Sequence, residues 1–258
     1  MTMAGMAEIR ELTDLTAFRA AADLFAAIWR PGPAEHPANA DLLRALSKAG
    51  NYVAGAYEGD RLVGAAVAFF GPPAARLLHS HIAGVTTPAR GLGRALKLHQ
   101  RDWALARGVT TIEWTYDPLI SRNAYFNLVK LGARPDEYLP DFYGEMDDGI
   151  NAGDYSDRLL VHWDLTAPVG AREPGVAGVA VALGRTADGR PVARPAGGAT
   201  VLIGVPPEIG RLRAKDPELA REWRLALRAA LEPLLAEGAR VTGFARDGWY
   251  VVTREAKR

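Results

Sequence analysis

The stretch LLHSHIAGVTTPARGLGRALKLHQRDWALAR, Leu77 to Arg107, decides how this chain is read. Its first part, LLHSHIAGVT, has the character of a strand, TPARGLG that of a turn, and RALKLHQRDWALAR that of a helix stopped by Gly108. Glycines at the junction let the backbone pass close to a ligand, and the first N–H groups of a helix have no partner within it. Aligned peptide dipoles leave partial positive charge there, so the turn suits an anion, phosphate above all. It is not a P-loop, because no Gly-Lys-Ser/Thr follows, and it lacks the third glycine of a dinucleotide fingerprint.

Downstream, VTTIEWTY is β-rich, with Ile112, Trp114 and Tyr116 on one face, and Asp117-Pro118 breaks it. Ser121 is expected to cap a helix ending at Gly132, with Ala124, Leu128 and Leu131 as its buried stripe and Asn123 and Asn127 on another face. Two further strands are expected, around Phe142 to Met146 and in RLLVHWDL. Upstream, Ala7 to Leu12 reads as a short strand. Thr13 or Asp14 caps a helix carrying Leu15, Phe18, Ala22, Phe25 and Trp29 at helical spacing, and Asn39 caps a second helix ending near Gly50. The runs NYVAGAYE and RLVGAAVAFF, joined by Gly59-Asp60, make a hairpin.

The order strand, helix, helix, hairpin, then strand, helix, strand, helix, strand, strand is similar to the whole fold of the GNAT N-acetyltransferase superfamily. The turn resembles that family's acetyl-CoA pyrophosphate loop, Arg/Gln-x-x-Gly-x-Gly/Ala, in either of two registers: Arg90, Gly93 and Ala95, or Pro88, Gly91 and Gly93. Lys130-Leu131-Gly132-Ala133 resembles the end of its second motif, although Leu128 stands where the family usually has the tyrosine that protonates the CoA thiolate. HSH, DPL, SRNAYFN, DFYG and SDRLLVHW together resemble a subgroup of predicted acetyltransferases without an assigned substrate.

The resemblance covers residues 7 to 165. It implies an α/β fold, with a mixed, mostly antiparallel central sheet whose strands Leu77–Thr86 and Thr110–Tyr116 splay to admit the pantetheine arm. It also implies acetyl-CoA as co-substrate with no metal, held by Val85, Thr86, Arg90, Gly91, Leu92, Gly93, Arg94, Ala95 and Asn123. A backbone N–H near Val85 would polarise the thioester carbonyl, and a small-molecule or peptide amine would be the acceptor.

A Pro/Gly-rich linker, TAPVGAREPG, marks a boundary at residue 167, so residues 1–167 are expected as the acyl-CoA-binding domain and 168–258 as an α+β subdomain that packs on it or extends it. VAGVAVAL and ATVLIGV read as strands around the loop RTADGRPVARPAGG. Helices follow from Pro206-Pro207 and from Asp216, and a hairpin turns at Asp247-Gly248. This order repeats that of residues 7 to 70 and raises the expectation of a degenerate half of the same fold. Arg211, Arg213, Arg221, Arg224 and Arg228 read as a solvated helix face.

For chemistry, His79 and His81 lie two apart on one strand face, with an imidazole pKa suited to taking a proton from an ammonium substrate. Glu113 is the carboxylate alternative. Tyr116, Tyr125, Tyr138 and Tyr143 are possible acids, and Tyr143 is the expected substitute for the missing tyrosine. Tyr116, Asp117 and Asn127 are expected at the substrate end, where Asp117 also suits the turn before proline. Zero cysteines exclude a thiol nucleophile and Cys-ligated zinc, and two histidines alone do not make a zinc site. A net charge of +1 points to neither nucleic acid nor a membrane surface. With no run of about 18 apolar residues, a cytoplasmic location is expected, and the chain is taken as a monomer or homodimer, a choice that the sequence does not decide.

Overall fold

A computed structural model describes residues 7–30, 38–86, 91–144, 146, 149 and 153–254. The chain forms two compact units, one of Met1–Trp114 with Asp147–Ile150 and Asp164–Thr166, the other of Thr115–Met146, Asn151–Trp163 and Ala167–Arg258.

β1 (Glu8–Glu11), β2 (Tyr52–Glu58), β3 (Arg61–Phe70) and β4 (Leu77–Val85) of the first unit lie side by side in that order, followed by β5 (Thr111–Tyr116), whose residues up to Trp114 belong to the same unit. The first four are antiparallel and β4–β5 is parallel. Asp14 caps α1 (Leu15–Trp29) by accepting from Ala17 N–H, and Asn39 caps α2 (Ala40–Lys48) by accepting from Leu42 N–H. Phe18, Leu24 and Phe25 of α1 and Leu43 of α2 bury against Val53, Ala65 and Val67 of β2 and β3. Strand β5 alternates as read: Ile112, Trp114 and Tyr116 are buried, and Thr111, Glu113 and Thr115 are half-buried.

In the second unit, α4 (Ser121–Tyr125) opens at Ser121 without a capping side chain and passes into a π-helical turn, Phe126–Leu131, ended by left-handed Gly132. That wider turn takes Asn127 off the face of Asn123: Asn127 is buried and Asn123 half-buried. The expected strand at Phe142–Met146 is a correction. Residues 142 and 143 lie in a turn, set by Asp141 and Gly144 at φ of 45° and 68°, and the strand is β6, Arg134–Leu139. It pairs antiparallel with β7 (Arg158–Asp164).

The C-terminal segment is α+β as expected. It forms a five-stranded sheet ordered β11-β12-β10-β8-β9, from β8 (Ala180–Arg185), β9 (Pro191–Ala193), β10 (Thr200–Gly204), β11 (Arg240–Ala245) and β12 (Trp249–Thr253). Strand β9 lies within the stretch read as loop. Helices α5 (Ile209–Lys215) and α6 (Pro217–Ala236) connect β10 to β11, and α6 packs on β6, β8, β9, β10 and β11. The element order repeats that of the first unit, but the pairing does not. In the first unit β1 pairs with the nearer hairpin strand, β2; here β10 pairs with the farther one, β12, and its other edge is taken by β8.

Candidate functional site

The parallel ladder between β4 and β5 covers only Leu77↔Thr111, Leu78↔Ile112 and His79↔Glu113. Strand β4 runs six residues further, to Val85, alongside β3. Its pairing with β3 shifts between Val67 and Ala68, leaving His81 as the extra residue of a bulge. At its end Thr86 donates both its N–H (2.9 Å) and its hydroxyl (3.2 Å) to the Val63 carbonyl. Both donors of Thr86 are therefore spent on β3. Because successive residues of an antiparallel strand point their N–H groups to opposite edges, the same bond turns the Val85 N–H away from β3.

Arg90 lies outside the described residues. Gly91, at φ 95°, opens α3 (Leu92–Leu105), and no side chain among the described residues caps that end. The Ala95 N–H donates to the Gly91 carbonyl at 2.9 Å, so the expected donor at Ala95 is already used, and the amides without a partner among the described residues are those of Leu92, Gly93 and Arg94. No acidic residue occupies the first turn, and a side chain at Gly91 or Gly93 would meet nothing within 4 Å among the described residues. Uncapped donors, no competing carboxylate and free space fit an anionic pyrophosphate.

On the β4 face that carries His79, Nδ1 of that residue lies 3.1 Å from Glu113 Oε1, and its ring stacks on Phe69 at 5.0 Å. The His81 ring is 6.3 Å from that of His79 and 5.8 Å from that of Phe69. Partial burial, and then the neighbouring His79, lower the His81 pKa, so it stays neutral at pH 7 and can accept a proton.

The remaining expected residues lie in the second unit. Tyr143 is exposed, and its hydroxyl is 3.1 Å from that of Thr115. Tyr125 bonds Glu173 and Arg246, and the Tyr138 hydroxyl donates to Asp157 at 2.6 Å. The substrate expectation for Tyr116 and Asp117 is corrected by their burial. The Tyr116 hydroxyl is 3.2 Å from that of Tyr250, which donates to the Pro118 carbonyl. Asp117, 2% exposed, accepts from Arg213 (2.6 Å), Arg224 (2.9 Å) and the Leu119 N–H (2.9 Å), the last making the turn. Arg213 and Arg224 also hold Asp154, at 2.9 and 3.1 Å, and Arg228 holds Asp157. The helix face read as solvated is thus, at three of its five arginines, an internal ion network. Burial alone would raise the Asp117 carboxyl, but Arg224 and then Arg213 hold it well below the usual carboxylate range.

The three-pair parallel ladder between β4 and β5, the run of β4 beyond it and the helix that follows are the arrangement expected from the resemblance to the GNAT acetyltransferase fold. Solved structures bear this out at the level of fold. An N-acetyltransferase from Staphylococcus aureus Mu50 is 19% identical, with 62% of this chain and 99% of that one covered and a TM-score of 0.50. A putative acetyltransferase from Salmonella typhimurium, solved with its cofactor acetyl-CoA, is 18% identical over 62% and 95%, also at 0.50. The ribosomal-protein-S5-alanine acetyltransferase of Vibrio fischeri is 14% identical over 62% and 93%, again at 0.50. No protein-family model matches the sequence, and no curated protein matches it significantly.

Proposed function

We propose that the chain transfers an acetyl group from acetyl-CoA to the primary amine of a small molecule or peptide by direct attack, with residues 1–167 as the acyl-CoA-binding part. The observation that carries this reading is the ladder that ends at His79–Glu113, together with a start of α3 that no side chain among the described residues caps. Leu92, Gly93 and Arg94 would hold the pyrophosphate, and the acetyl-CoA thioester supplies an activated acyl group. The Val85 amide, turned away from β3, is the donor suited to polarising an acyl carbonyl. A primary amine at neutral pH is almost wholly protonated, so a base is needed. With its Nδ1–H donated to Glu113, His79 keeps Nε2 as an acceptor, and neutral His81 is the second base.

Thermal unfolding with and without CoA tests the reading. Saturating CoA should raise the wild-type midpoint and leave Gly93→Val unmoved, since a side chain there projects into the anion site without meeting the protein. An equal rise in both places the site elsewhere. Thiol release from acetyl-CoA across an amine panel then separates a transferase from a second reading, a non-catalytic acyl-CoA-binding protein. That reading draws on Leu128, which is buried and holds no proton to give.

A further inference from the structure

One buried ionisable group of the first unit has no part in the reaction proposed above. Lys97 lies on α3, one turn beyond the open amides, and is 7% exposed. Its ammonium donates to Ser80 Oγ at 2.7 Å and to Gln100 Oε1 at 3.4 Å, and it sits 3.9 Å from the centre of the Trp114 ring. The position is specific. Since the β4–β5 ladder ends at His79↔Glu113, Ser80 and Trp114 are the next residues on each strand, the first rung that does not form. Lys97 therefore spans the two strands where they begin to part, holding β4 through a hydroxyl and β5 through a ring face.

Among the described residues, no charged group answers this amine. Strand β4 turns Ser80 toward it, with His79 and His81 on the opposite face. Strand β5 turns Trp114, with Glu113 opposite. Strand β2 gives α3 Tyr52, which bonds His99, and on α3 itself Arg94 is exposed while Arg101 donates to the Leu165 carbonyl. Burial pushes the Lys97 ammonium down to about 7, and the Trp114 ring face favours the charged form. The amine is thus divided between its two forms at neutral pH, and a nearby anion decides which prevails.

We propose that Lys97 is a proton-linked positioning residue: it takes up a proton from solvent when a pyrophosphate settles on the amides of Leu92 to Arg94, and the resulting cation fixes the opening between β4 and β5. This rests on the CoA reading above. Three to five residues of helix separate Lys97 from those amides, about 5–8 Å along the axis. At that separation, in a medium of intermediate dielectric, a doubly charged group raises a neighbouring ammonium by about one pH unit or more.

The test is calorimetric titration of the full chain with 3′-dephospho-CoA, whose pyrophosphate does not titrate near neutrality, at pH 7.5 in two buffers of different ionisation enthalpy. Wild type should take up about half a proton per ligand, and its Kd should weaken up to about tenfold between pH 6.5 and 9. Lys97→Met should bind with no uptake and a flat Kd, while His81→Ala keeps both effects. Uptake that persists in Lys97→Met, or binding to wild type with no uptake and a flat Kd, overturns the linkage while leaving the CoA reading intact. Absence of binding to wild type overturns both. Should Lys97→Met not fold, the wild-type Kd profile compared with that of His81→Ala decides alone.

Discussion

Replacing Arg224 with Met is expected to destabilise the second unit by about 3–5 kcal/mol, the range for leaving buried charge without its partner. Two links are lost, to Asp117 at 2.9 Å and Asp154 at 3.1 Å, while Arg213 keeps its own bonds to both. The lower end, about 3 kcal/mol, is therefore expected, or roughly 6–12 °C for a protein of this size. The pH dependence carries the sharper signature. Asp117 and Asp157 are both depressed in the folded state, so their stabilisation is present above the ordinary carboxylate range near 4 and is lost as pH falls through and below it. In Arg224→Met the Asp117 carboxyl is less depressed, and the loss between pH 5 and 3 should be shallower. Urea unfolding followed by tryptophan fluorescence measures both, and Asp117→Asn in each background completes a cycle whose coupling should exceed about 1 kcal/mol. Equal midpoints for wild type and Arg224→Met at pH 7, with parallel acid limbs, would refute the reasoning.

A chain ending at residue 167 removes Arg213, Arg224 and Arg228 at once and should not give a cooperative melt; a well-folded truncated protein would show that the network is dispensable. His79→Ala and Glu113→Gln should each lower kcat by ~10²-fold or more with CoA affinity unchanged, read from steady-state turnover once an acceptor is found, and unchanged turnover in both leaves His81 or proximity as the source of catalysis. In the folded protein Lys97 binds its proton at about 7, far below the ordinary lysine value, so wild-type stability should rise with pH from 7 to 9.5, by at most about 1.4 kcal/mol per unit. Lys97→Met should lack that rise, and superimposable slopes from urea midpoints would show that the amine is not desolvated.

Much of the first unit was legible because its signals are local. Asp14 and Asn39 cap helices three residues before the N–H groups they accept from, and Gly59-Asp60 turns a hairpin whose strands adjoin it in sequence. The anion turn is equally local, though which amides stay open depends on the Ala95–Gly91 bond, which no spacing reveals. The misplaced strand shows the reverse. Arg134–Leu139 carries Pro135 and two acidic residues and buries only Pro135 and Tyr138, because a register shift falls between Pro135 and Glu137. DFYGEM has the aromatic content of a strand, but left-handed Asp141 and Gly144 close it into a turn. The arginines of α5 and α6 were misread for a different reason. Their carboxylate partners lie 59 to 107 residues away, beyond the reach of any helical pattern.

That separation also governs when Asp117 meets α6 during synthesis. Asp117 emerges 107 residues before Arg224. At about 5–20 residues per second the carboxylate waits roughly 5–20 s for its guanidinium, with Tyr116 and the strand end beside it lacking their final cover. The second unit therefore cannot close its ion network until α6 has been made, and a ribosome stalled in the linker after Leu165 would hold out a half-built surface for chaperones to guard.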